Sequence, residues 1–237
     1  MTMPDDKPVR EGQAYKRTAI LAAAQALFVQ SGVERTSMDA VAARAGVSKR
    51  TVYDYYGDKR RLLLGVIEEA GESVLATLRQ LVDQHLTGAG IVDDRDLGEA
   101  LSAFAADLGR SLLLSSDYVA AVRLIAENEP LLPELEDHPL DDAHTQVLAE
   151  RIAHFSSVGL LQAQDPGLAA AHFQGLTTLR VLNEPARRRA DAANVERIMI
   201  DGARAFQRAY RREGPREQPP SQPETALNPT RRPERAG

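Results

Sequence analysis

Apolar residues recur at intervals of three and four along most of this chain, while the strict alternation that marks strands is nearly absent. Ile20, Ala23, Ala24, Leu27 and Phe28 form one stripe, which predicts a first helix from Gln13 to Ser31, stopped by Gly32. Met38, Val41, Ala42 and Ala45 make a short second helix, with Thr36 or Ser37 as its cap and Gly46 as its stop. Ser48 caps a third, Lys49 to Tyr56, and Asp58 a fourth, whose stripe from Leu62 to Leu81 continues to His85. Further helices are expected over Leu97–Leu114, Asp117–Glu129, Ala143–Ser157, 166–183 and Asp191–Tyr210. Nine helices and no strand predict an all-α protein.

The third helix has the wrong composition for a core element. Around its single aliphatic, Val52, it carries Lys49, Arg50, Thr51, Tyr53, Asp54, Tyr55 and Tyr56. Most of these must face water, and hydroxyls, cations and aromatics facing outward suit phosphates and base edges. Two short helices joined by a three-residue turn containing Gly form a helix-turn-helix. The stretch AGVSKRTVYDYYGDKRRLL is similar to the DNA-binding signature of the TetR (tetracycline-repressor) family of bacterial regulators. The family more often has Phe at the position of Tyr56 and an acidic residue near Arg60, so the Lys59–Arg61 cluster is a departure. A cation at a helix N-terminus opposes the macrodipole, and a phosphate running past would offset that cost. A solvated basic run is the plainer account of the same cluster.

The resemblance implies an N-terminal three-helix helix-turn-helix head joined by a long helix to a C-terminal helical ligand-binding and dimerisation bundle. Residues 12–58 are the expected head and 59–211 the expected body, with disordered stretches at 1–11 and 212–237. It also implies DNA contact from Tyr15 and Arg17 at the first helix, and from Thr36, Ser37 and Ser48 at the helix starts. Lys49, Arg50, Thr51, Tyr53, Asp54, Tyr55, Tyr56 and Lys59 complete the expected set. From Val122 to Leu182 the sequence resembles the sensing half of AefR-like members, with Leu131-Leu132-Pro133-Glu134-Leu135 where those have Arg-Phe-Pro-Glu-Leu.

Charge sharpens this division. The formal net charge is −5. Residues 1–64 nevertheless hold 11 Lys and Arg against 7 Asp and Glu, and residues 65–210 hold 12 against 23. A basic head on an acidic body can face a polyanion with one end only. The chain has no cysteine, which removes disulfides and thiolate chemistry, and no apolar run approaches the ~20 residues that span a bilayer. A cytoplasmic, nucleoid-associated protein is the expectation.

No catalytic constellation is visible. The five histidines lack a metal-binding spacing, and neither a nucleophile elbow nor a phosphate-binding glycine loop is present, so no metal, cofactor or enzymatic activity is expected. A bundle of amphipathic helices can instead enclose an apolar cavity. Phe104, Leu108, Leu112, Leu124, Phe155 and Phe173 are candidate walls, with Arg123 or Glu127 as the polar contact. For the dimer contact, Leu168, Ala171, His172, Gly175, Leu176 and Leu179 line one late helix, and Ile198, Gly202 and Phe206 the last. The reading that follows is a homodimeric, sequence-specific DNA-binding regulator on a palindromic operator, a repressor released by a small, largely apolar effector. The alternative is a ligand-independent activator or architectural DNA-binding protein.

Overall fold

A computed structural model describes residues 7–88, 90–128, 132–133 and 139–212. Among these residues every regular element is helical: α1 Lys7–Ser31, α2 Met38–Ala45, α3 Lys49–Tyr56, α4 Lys59–His85, α5 Asp94–Leu108, α6 Ser116–Asn128, α7 Pro139–Ser157, α8 Pro166–Leu176, α9 Thr178–Leu182, α10 Ala186–Arg189 and α11 Ala192–Tyr210. The all-α class is as expected, and so are the caps. Ser37, Ser48, Asp58 and Asp165 each accept a backbone N–H at the start of their helix, satisfying a donor that would otherwise be orphaned.

Several boundaries differ from the sequence reading, and α5 and α7 begin three and four residues earlier than expected, at Asp94 and Pro139. α1 starts at Lys7, so residues 7–11 are helical rather than disordered. Residues 1–6 and 213–237, also expected to be disordered, lie outside the described residues, as do 131, 134 and 135 of the Leu-Leu-Pro-Glu-Leu run. α5 ends in a π-helical turn, Gly109–Leu113, where the periodicity had suggested one unbroken helix. The helix expected over 166–183 is broken at Thr177, whose φ of −116° and ψ of −88° leave the helical region while its hydroxyl bonds to the Phe173 carbonyl at 2.6 Å. The cause lies on α11. Gly202 packs against the Leu176 carbonyl so closely that a Cβ there would overlap it, which brings the two backbones together at the break. The basic run around Arg188, between the last two helices expected from the sequence, forms the short α10.

Two hydrophobic cores organise the chain, and α4 belongs to both. In the head, Ile20, Phe28, Met38, Val41, Val52, Leu62, Leu63 and Ile67 pack together, so the head core extends past residue 58 into α4. In the body, Leu78, Leu81 and Val82 of α4, with Leu86 just beyond its end, pack with Leu97, Leu101, Phe104, Phe155, Phe173, Ile198 and Phe206. The 27 residues of α4 span about 40 Å, which makes this helix the mechanical link between the cores. α6 is a second link: Leu124 is buried in the head core although α6 is a body helix by sequence, and Leu132 beyond it is buried there too.

Candidate nucleic-acid interface and ligand cavity

The outward face of the helix-turn-helix is built on a small buried frame. Gly46 ends α2 with φ +65° and its N–H bonds to the Ala42 and Ala43 carbonyls, which turns the chain tightly enough for Ser48 to start α3. Val52 is fully buried against the head core, so the rest of α3 is held at the surface. Arg50 is the most open of its side chains, with 90% of its surface exposed and a loose pair to Asp54 at 3.7 Å. Tyr53 is exposed and lies 6.0 Å below the Lys49 ammonium. Lys49 is tied across the turn to Asp39 of α2 at 2.8 Å, and that carboxylate holds the ammonium above its ordinary pKa. The Ser48 hydroxyl caps α3 through Thr51 N–H and meets the Thr51 hydroxyl at 2.8 Å. The Tyr55 hydroxyl donates to the Gln13 carbonyl at 3.2 Å, tying α3 to the start of α1, where Tyr15 stands 76% exposed.

Three residues expected at this face are turned to structural work. Thr36 is buried, and its hydroxyl sits 2.8 Å from the Gly32 carbonyl and 3.3 Å from that of Leu27, closing the α1–α2 corner. The reason is position: Thr36 is the last residue before the Ser37 cap, where the chain folds back onto α1. Tyr56 is half-buried, its ring against Gly65 of α4. Its hydroxyl is buried beside the Arg17 guanidinium without a hydrogen bond of good geometry. Burial pushes that hydroxyl above the usual tyrosine range, with Arg17 opposing. Lys59 donates to the Glu34 carbonyl at 2.8 Å and bridges the start of α4 to the α1–α2 loop. Arg17 is itself exposed and near Glu69 of α4 at 4.0 Å.

In the body a cavity of about 440 Å³ lies between α4, α6, α7, α8 and α9. Leu108, Leu112 and Phe173 line it, as the sequence suggested. The other candidates do not. Phe104 and Phe155 are buried in the body core behind the wall, and Leu124 points the opposite way into the head. Arg123 and Glu127 pair at 2.6 Å on the exposed side of α6, because one helical turn apart they satisfy each other in water. The polar groups that do line the cavity were missed: Glu68 and the Gly71 backbone on α4, Tyr118 on α6, His144 and Thr145 on α7, Gln174 on α8 and Thr178 on α9. His144 Nε2 donates to the Gly71 carbonyl at 3.2 Å, and Gln174 Nε2 to Thr145 Oγ at 3.4 Å. Burial raises the Tyr118 hydroxyl above its usual range and keeps it neutral. A cue was present in the spacing, since Ile67, Ala70, Gly71, Val74 and Leu78 form a stripe with Glu68 on its edge. A stripe that lines a cavity and one that fills a core look alike in sequence.

The face of α8 and α9 expected to meet a second copy is apolar and open: Leu168 is 53% exposed, Leu179 is 51% exposed, and Ala171, His172, Gly175 and Leu176 are exposed with them. Ile198, Gly202 and Phe206 of α11 are not part of it. All three are buried against α5 and α8 within the same chain, because the most strongly apolar face of α11 serves its own core. Among the described residues no group of three His, Asp or Glu side chains could hold a metal ion, and no helix is long and apolar enough to cross a membrane.

Residues 20–66 match the model of bacterial regulatory proteins of the tetR family, and residues 99–212 match that of the AefR-like transcriptional repressor C-terminal domain. The chain belongs to the TetR family of transcriptional regulators. Its head and its AefR-like half are therefore those the sequence resembled. The HTH-type transcriptional activator FasR of Mycolicibacterium smegmatis (strain ATCC 700084 / mc(2)155) is 30% identical over 118 residues, 47% of this chain and 51% of that protein. The match thus spans about half the length of this curated relative. A TetR-family structure from Mesorhizobium loti MAFF303099 superposes with a TM-score of 0.72 at 25% identity, covering 84% of this chain and 98% of that one. The flavonoid-responsive regulator FrrA does so with a TM-score of 0.55 at 27% identity, over 85% and 98%. The complex of SmeT with triclosan, at 21% identity, 84% and 93% coverage and a TM-score of 0.56, shares the fold. The family and these neighbours are regulators of transcription rather than enzymes.

Proposed function

We propose that this TetR-family regulator is a homodimeric repressor that sits on a palindromic operator and leaves it when a small, largely apolar molecule enters the cavity. The observation that carries this is the double allegiance of α4 and α6. α4 gives Leu62, Leu63 and Ile67 to the head core and Ala70, Val74 and Leu78 to the cavity wall. α6 buries Leu124 in the head while Ala121, Val122 and Ile125 line the cavity. A ligand that binds one arrangement of these helices better than the other must change the placement of the head, and by linkage DNA must change the affinity for the ligand.

Arg50, Thr51, Tyr53, Asp54 and Tyr55, with Lys49 at the helix start, form the face offered to the major groove. Tyr15, Arg17, Ser37 and Ser48 flank it and serve the phosphates. The exposed α8–α9 face joins two copies, which sets two α3 helices on one face of the duplex with half-sites about 34–36 Å apart. The protein acts beside the chromosome, in the cytoplasm. FrrA, at 27% identity, is named as flavonoid-responsive, which fits a regulator that senses a small, largely apolar molecule. The test is a gel-shift series with random DNA and with palindromic fragments from the neighbourhood of the gene. Specific binding that weakens steeply with salt supports the proposal, and salt-independent or sequence-blind binding contradicts it. FasR is named an activator. The sign of regulation is read separately, from a promoter fusion in the presence and absence of the protein.

A further inference from the structure

Three hydroxyl groups in the cavity wall donate to no partner among the described residues: Tyr118 of α6, Thr145 of α7 and Thr178 of α9. Thr145 Oγ accepts from Gln174 at 3.4 Å but gives its own O–H to nothing, and Tyr118 bonds to Ser115 Oγ through its backbone N–H, not through its phenol. Thr177, which lies outside the wall, shows the contrast: its hydroxyl is spent on the Phe173 carbonyl. The Tyr118 ring packs against the body core while its side chain also lines the cavity. Burial alone pushes its phenol above the usual tyrosine range, so the oxygen keeps its proton at neutral pH and is a donor.

We propose, on the basis of the sensing cavity described above, that Tyr118 selects its ligand: an apolar molecule bearing a carbonyl oxygen, which accepts the phenol O–H. A ligand that fills the cavity displaces the water that can serve these hydroxyls, and it must bring an acceptor or strand a buried donor. Of the three, the phenol is the most acidic and so the strongest donor. Tyr118 also stands on the helix that buries Leu124 in the head core, so a bond to it ties the ligand to an element that carries the head. Leu179 and Ile125 are both in the wall and exposed, so the cavity opens to solvent and a ligand can enter without unfolding the bundle.

The experiment is equilibrium dialysis of the full chain with two probes of one skeleton, butyrophenone and butylbenzene, which differ by a single carbonyl. Each is measured with the parent and with Tyr118→Phe, which keeps the ring that packs on the core and is checked for folding by circular dichroism. The ratio of ketone to hydrocarbon affinity cancels the difference in hydrophobicity between the probes. That ratio is expected to fall about tenfold in Tyr118→Phe, the value of one hydrogen bond, with butylbenzene bound at least as tightly as by the parent. An equal ratio in the two proteins overturns the assignment to Tyr118 and leaves the sensing cavity standing. Failure of both probes to bind the parent removes the sensing cavity itself, and the selection by Tyr118 with it.

Discussion

The Lys49 ammonium and the Asp39 carboxylate meet at 2.8 Å across the helix-turn-helix, on the face proposed to meet DNA. The pair joins α2 to α3 and occupies a cation that a phosphate could otherwise use. Both side chains are more than half exposed, so the pair adds little to stability. Asp39→Ala should therefore leave the melting temperature unchanged while tightening binding to random DNA. The slope of log affinity against log salt should steepen by about 0.9, the value of one further phosphate contact. Fluorescence anisotropy across a salt series measures it. Weaker binding in the variant would mean that Asp39 itself contacts DNA.

Thr36 provides the contrasting case. Its hydroxyl is spent on two main-chain carbonyls, so Thr36→Val should cost the head about 1 kcal/mol of stability, read as a lower urea midpoint. DNA affinity measured well below that midpoint should remain. Arg50→Ala should do the reverse: stability unchanged, specific affinity lost by roughly tenfold or more, as for a side chain that reads a base.

The difference between Thr36 and Arg50 also marks how far the residues alone could be read. Helix spacing, caps and the Gly46 turn are local, and they located α2, α3 and the long α4. The outward direction of Arg50 and Tyr53 followed from the lack of any apolar face but Val52. Where two elements meet, the local pattern failed. Nothing near Thr177 announces a break, because its cause is the approach of Gly202, 25 positions away. Leu124 reads as one more body leucine, and only the packing of α6 on α1 sends it into the head. Ile198 and Phe206 were apolar enough for either a core or an interface, and apolarity does not distinguish the two.

The open α8–α9 face leads to a test of assembly. Leu168 and Leu179 leave about half of their surface in water, so charge there costs the folded chain little. Leu168→Asp with Leu179→Asp should halve the mass seen by analytical ultracentrifugation, leave the helical circular dichroism intact and abolish specific DNA binding. A double variant that stays dimeric places the interface elsewhere.

Asp107 supplies a pH dependence of stability. Arg110 bonds to its carboxylate and, with His85 at 2.7 Å, holds it below the usual carboxylate range against the opposing effect of burial. The folded value is the lower one, so the stabilisation is complete above the unfolded value of about 4 and is lost as pH falls through the folded one. Asp107→Asn should lower stability at neutral pH and flatten its decline below about pH 4, relative to the parent. Urea titrations between pH 2 and 7 give both curves. An unchanged acid limb would show that the group contributes nothing to the linkage.

The central claim, that two heads are held one helical turn apart by the joined bodies, is tested most directly by lengthening the DNA between them. A half-turn insertion of about five base pairs at the centre of the operator puts the half-sites on opposite faces of the duplex. Affinity measured by gel shift should then fall to the level of random DNA, and removal of the insertion should restore it. Binding that ignores the insertion would contradict a rigid two-headed regulator.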